Sequence, residues 1–115
     1  MIVTVIGLGY IGLPTAALIA SKGIKVVGVD VNHHIVNTIN KGKIHIVEPD
    51  LDILVRSSVQ SGNLRATTET ERADVFIVAV PTPLQGNHEP DLSYIKSAAK
   101  AIAPVLGKGN LVILE

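Results

Sequence analysis

A chain of 115 residues, 47% apolar and 17% charged, has room for a single core, and that balance suits a parallel sheet buried on both faces. Zero net charge and 3% aromatic residues argue against a nucleic-acid or membrane surface and against base-stacking platforms. Without cysteine, neither a disulfide framework nor thiol chemistry is possible within these residues.

The β-branched run Ile2-Val3-Thr4-Val5-Ile6 reads as a first strand. It feeds directly into Gly7-Leu8-Gly9-Tyr10-Ile11-Gly12, the G-x-G-x-x-G spacing of a dinucleotide-binding turn. Gly7 would allow the tight turn, Gly9 the approach of a pyrophosphate to the backbone, and Gly12 the close seating of the next helix. Amides and dipole at that helix N-terminus favour an anion. The spacing alone is weak evidence in a chain with 10 glycines, so its context matters. Leu13 to Ser21 reads as a helix with Pro14 in its first turn, a small-residue surface of Ala16, Ala17 and Ala20, and Gly23 at its end. The apolar stretch from Val5 to Ala20 holds three glycines and a proline and lacks a basic leader. It is also shorter than the roughly 20 residues of a spanning helix, so a soluble, cytoplasmic protein with no membrane partner is expected.

Lys25 to Asp30 is the second strand. Asp30 lies eighteen residues beyond Gly12, close to the roughly 20-residue offset at which the fingerprint places an acid for the adenosine ribose. No Arg or Lys follows closely enough to accommodate a 2′-phosphate, which points to NAD rather than NADP. Asn32 opens a helix with Ile35, Val36 and Ile39 on one face, stopped by Gly42; His33 and His34 lack ligand-spaced partners and read as solvated residues, with no metal. His45 to Asp50 is a polar connector. Glu48 reads there as a loop carboxylate, and Asp50 as an N-cap for a helix carrying Leu51, Leu54, Val55 and Val59 and closed by Gly62. Leu64 to Ala66 is a short strand, after which Thr68 and Glu71 have capping-box spacing and predict another helix start. Val75 to Val80 is the strongest strand, stopped by Pro81-Thr82-Pro83. After a polar loop from Leu84 to Pro90, Asp91 or Ser93 caps a helix with Ile95, Ala98, Ala99 and Ile102, ended by Pro104 and Gly107. Leu111 to Leu114 is the fifth strand.

Strands alternating with helices imply a doubly wound, Rossmann-like α/β fold with a parallel sheet in the order 3-2-1-4-5. The ligand crevice then lies beyond the carboxyl ends of strands one and four, where the order reverses. Gly7 to Gly12, Asp30, Pro81 to Pro83 and Glu115 all fall at such ends, so four signals converge on one rim.

With those residues in place, the chain resembles the UDP-glucose/GDP-mannose dehydrogenase family over all 115 residues, as its N-terminal NAD-binding domain. Val5-Ile6-Gly7-Leu8-Gly9-Tyr10-Ile11-Gly12-Leu13-Pro14 is similar to the family's opening. Ile46-Val47-Glu48-Pro49-Asp50-Leu51, Pro81-Thr82-Pro83 and Glu89-Pro90-Asp91-Leu92 look more like the branch that oxidises UDP-N-acetyl-D-mannosamine for surface polysaccharide synthesis. The resemblance implies that Tyr10 and Ile11 contact NAD through the glycine turn, that Asp30 holds the ribose and that Thr82 reaches the cofactor. A basic residue that many relatives place five after the acid is replaced by Ile35. The family oxidises a 6-hydroxymethyl group to a carboxylate in two NAD-dependent steps through a catalytic cysteine beyond the cofactor domain. The resemblance therefore implies a chain truncated after strand five, with substrate and dimerisation domains absent, no catalytic residue of its own and a UDP-sugar partner only in the intact parent. A stand-alone regulatory nucleotide-binding module of the transport-gating type is the rival by length, and a β-hydroxyacid dehydrogenase shares only the glycine turn. Neither needs Pro81-Thr82-Pro83 followed by a long polar loop. An outermost fifth strand, wholly apolar and without Lys or Pro, predicts self-association through its free edge.

Overall fold

The computed structural model describes every residue from Met1 to Glu115. Its strands are β1 (Ile2–Ile6), β2 (Lys25–Val29), β3 (Leu64–Thr67), β4 (Val75–Val78) and β5 (Leu111–Leu114), and its helices α1 (Gly12–Ser21), α2 (His33–Asn40), α3 (Leu51–Gln60) and α4 (Ser93–Ile102), the last running into a 3₁₀ turn at Ala103–Val105. The strands are all parallel and ordered β3-β2-β1-β4-β5, as the alternation of elements predicts.

Side chains alternate across this sheet and build two cores. Val3, Val5, Val26 and Ile77 face α1 to α3, where Leu13, Ala16 and Ala17 are fully buried. The small side chains of α1 let its backbone sit close on the strands. Ile6, Val27, Val29, Phe76 and Val78 face the other way, onto Ala98 and Ile102 of α4. At the sheet edge β5 is left open on both faces: Leu111, Val112, Ile113 and Leu114 keep 40–63% of their surface exposed.

Several local expectations are corrected. No helix follows Thr68. Residues 68–74 must pass from β3 to β4 over three strand positions, about 14 Å at ~4.8 Å each, while also descending the height of a strand. A seven-residue helix spans only about 10 Å, so the segment runs irregularly. Glu71 pairs with Arg65 on β3 instead of closing a capping box. Strand β4 ends at Val78 rather than Val80. Asp50 does precede α3, but in the left-handed region (φ 64°) and without a capping bond from its side chain. At α4 the N-cap position is Leu92; Asp91 acts one residue earlier, accepting the Ser93 amide at 2.9 Å. Asn32 caps α2 as expected, its Oδ1 accepting the amides of His34 and Ile35.

Candidate functional site: a dinucleotide cleft at the strand carboxyl ends

Each parallel ladder continues one hydrogen bond beyond its strands. Gly7 N donates to Val29 O, Asp30 N to Thr67 O, Ala79 N to Ile6 O and Glu115 N to Val78 O, at 2.8–3.1 Å. These bonds set Gly7, Asp30, Ala79 and Glu115 in a row along one rim, so the convergence read from the sequence holds in space. Glu115 also accepts the Thr15 hydroxyl of α1 at 2.9 Å.

The glycine turn is shaped by two close approaches. Gly7 has φ 95°, and a Cβ there would lie 2.6 Å from the Ala79 carbonyl oxygen. Gly12 is buried so tightly that a Cβ would stand 1.7 Å from the Gly7 carbonyl oxygen. Neither position admits a side chain while the strand end, turn and helix keep these distances. Around Gly9 nothing lies within 4 Å of a Cβ position: the turn is open on that side. The amides of Gly9, Tyr10 and Ile11 donate to no protein group, and Ile11, at the N-cap of α1, offers no capping side chain. The start of α1 thus presents unpaired donors and the positive end of a helix dipole, an arrangement that binds phosphate.

Asp30 stands beside this turn. Its Oδ2 accepts the Leu8 amide and its Oδ1 the Asn32 amide, both at 3.0 Å, so one carboxylate ties the turn after β1 to the start of α2. Its oxygens retain further acceptor capacity toward a ligand hydroxyl.

A cleft of about 810 Å³ opens beside them, with Gly9, Asp30, Asn32 and Ile35 on one flank, Thr68 to Thr70 behind, and Val80, Pro81, Tyr94, Ser97 and Ala98 opposite. Its charged lining residues are Asp30 and Glu69, with no Lys or Arg. The polar character of the lining is thus the unpaired Gly9 amide together with carboxylates, without a cationic side chain.

Of the residues singled out in the sequence, Gly9 and Asp30 line the cleft, and Gly7 and Gly12 shape the turn beneath it. Tyr10 and Ile11 are exposed at the mouth of the turn, at 65% and 59%. Thr82 is exposed on the loop and does not line the cleft, whose edge there is Val80 and Pro81. Thr68 to Thr70, Tyr94 and Ser97 are lining residues that sequence reasoning missed; no motif marks them as cleft residues, and they reach the cleft only through the sheet order. Glu48 lies elsewhere, in a shallow concavity of about 640 Å³ formed by Ile44 to Asp50 with Asp52, and no group of His and acidic side chains there could hold a metal. No helix is long and apolar enough to cross a membrane.

Residues 1–115 match the sequence profile of the "UDP-glucose/GDP-mannose dehydrogenase family, NAD binding domain". The chain is 70% identical to a UDP-N-acetyl-D-mannosamine dehydrogenase of Campylobacter jejuni over 98% of its own length and 28% of that protein's. It is 65% identical to an NDP-N-acetyl-D-galactosaminuronic acid dehydrogenase of Ralstonia nicotianae, over 98% of its length and 27% of that relative's. Among solved structures it superposes on the UDP-N-acetyl-mannosamine dehydrogenase of Staphylococcus aureus with a TM-score of 0.96 and 42% identity, covering all of this chain and 28% of that one. The chain therefore spans a little over a quarter of the length of these relatives. The transport-gating reading gains nothing from these matches.

Proposed function

Because the chain belongs to the UDP-glucose/GDP-mannose dehydrogenase family, as its NAD-binding domain, we propose that it holds NAD across the rim, with the Gly7–Gly12 turn on the diphosphate and Asp30 on the adenosine ribose. The observation that carries this is the meeting at one rim of unpaired amides at Gly9, Tyr10 and Ile11 with the Asp30 carboxylate, Gly9 and Asp30 both lining the cleft. Tyr10 and Ile11 would cover the diphosphate from the mouth of the turn. Thr82 would meet the nicotinamide half from the loop after β4. Bound NAD supplies a hydride acceptor; these residues bind and orient it.

The proposed setting is a dehydrogenase that oxidises UDP-N-acetyl-D-mannosamine to its uronic acid, with the 115 residues as the cofactor domain and the chemistry carried outside them. The two relatives above are named for different N-acetylated sugars. We assign the sugar from the Ile46 to Leu51 and Pro81 to Leu92 wording, and propose the cytoplasm as the compartment. The open β5 edge is proposed to draw two copies together. Calorimetric titration tests the central reading: NAD should bind more tightly than NADP, and Asp30→Ala should weaken NAD by about 1–3 kcal/mol, the size of a lost hydrogen bond to a charged group. Equal or tighter binding of NADP would overturn it. The 115-residue chain should form no UDP-sugar acid, having no cysteine for the family's covalent step.

A further inference from the structure

Leu8, between the first two glycines, is held from three directions. Its amide donates to Asp30 Oδ2 at 3.0 Å. Its side chain, 1% exposed, packs where Gly28 has no Cβ; one added there would fall 2.9 Å from both Leu8 methyl groups. Its carbonyl accepts a hydrogen bond of 2.6 Å from the Nε2–H of His45. The first two contacts come from the strand beside the turn. The third comes from the connector between α2 and α3, and His45 is half-buried there.

A carbonyl cannot donate, so Nε2 carries the hydrogen. No backbone amide donates to Leu8 O, which leaves His45 as its sole partner in the protein. The peptide joining Leu8 to Gly9 is trans and planar, so its N–H points opposite to its C=O. Fixing the carbonyl on the connector side therefore fixes the direction of the Gly9 N–H. Gly9 lines the cleft and its amide has no protein acceptor. With a glycine on one side, this peptide plane is otherwise among the easiest in the chain to rotate.

We propose that His45 is a positioning residue for the cofactor's diphosphate: its grip on the Leu8 carbonyl holds the Leu8–Gly9 peptide so that the Gly9 amide faces the cleft. The inference rests on the NAD-binding reading and extends the cofactor site to a connector that contributes no cleft-lining residue. Loss of the imidazole frees the peptide to rotate, which removes one oriented donor from the diphosphate and leaves the adenosine contacts in place.

The test titrates the 115-residue chain and its His45→Leu, His45→Asn and His45→Gln variants with NAD, ADP and adenosine, recording each thermal midpoint. His45→Leu should weaken NAD and ADP about tenfold, the effect of one lost orienting hydrogen bond, while adenosine changes less than twofold. His45→Asn, whose amide falls short of the carbonyl, should show the same loss, which keeps the test decisive if the leucine variant does not fold. His45→Gln, whose amide nitrogen reaches where Nε2 stood, should restore binding. Equal weakening of adenosine, or unchanged NAD affinity in His45→Leu and His45→Asn, would overturn the proposal while NAD binding by the unaltered chain still stood. Failure of the unaltered chain to bind NAD would remove the cofactor reading itself, and this inference with it.

Discussion

Replacing Gly12 with Ala sets two effects of opposite sign against each other. Alanine is the better helix former by about 1 kcal/mol, and Gly12 is the first residue of α1. The added Cβ, however, would lie 1.7 Å from the Gly7 carbonyl oxygen and 3.2 Å from the Ala79 Cβ. An acceptable contact is about 3.2 Å or more, so turn and helix must part by about 1.5 Å, and both partners at the closest point are backbone. Retreat of α1 also opens the layer seated by Leu13, Ala16, Ala17 and Ala20, none more than 2% exposed. Overpacking of this kind costs about 1–3 kcal/mol, and the lost seating adds to it, so the clash outweighs the propensity and a net destabilisation of about 2 kcal/mol is expected. Gly9→Ala is the matched control. Its Cβ meets no protein atom within 4 Å, so stability should stay within about 0.5 kcal/mol or rise slightly through the unfolded state. That same methyl projects where the diphosphate must approach, so NAD affinity should fall at least tenfold, about 1.4 kcal/mol. Urea unfolding followed by far-ultraviolet circular dichroism, which needs no tryptophan, measures the first quantity and calorimetry the second. A Gly12→Ala chain of unchanged stability, or a Gly9→Ala chain destabilised as much as it, would refute the reasoning.

Other expectations follow from particular contacts. The Asn40 amide pairs with both backbone groups of Ala66 on the edge strand β3, at 2.9 and 2.8 Å; Asn40→Ala should cost about 1–2 kcal/mol, and Asn40→Asp at least as much, because its carboxylate faces the Ala66 carbonyl without a donor. The Arg65 guanidinium holds the Glu71 carboxyl below the usual carboxylate range. The stability it adds is present above the unfolded-state value of 4.5 and lost as pH falls through the lower folded-state value. With side chains 55% and 46% exposed, the pair should contribute less than about 1 kcal/mol, so the denaturation midpoints of wild type and Glu71→Gln should differ slightly at pH 7 and converge in acid. Sedimentation at micromolar concentration should show self-association that Val112→Lys or Leu114→Lys abolishes; a monomer indifferent to either change would mean that the β5 edge is not adhesive.

What could be read from one sequence was whatever depends on neighbours along the chain. Apolar runs bounded by glycine and proline located the strands, and the strand–glycine turn–helix order with Asp30 at the end of the second strand located the rim. Those signals are local because strand exits, helix caps and turn geometry are decided within a few residues. The tertiary structure alone decided the rest. The spacing of Thr68 and Glu71 suits a helix cap, but the distance from β3 to β4 forbids a helix, and Arg65 takes the carboxylate instead. Thr68 to Thr70, Tyr94 and Ser97 became walls of the cleft because the strand order sets α4 and the end of β3 beside Asp30. His45 gave no sign of its contact, since a hydrogen bond between residues 37 positions apart is fixed by where α2 and α3 pack on the sheet, and no periodicity along the chain encodes that.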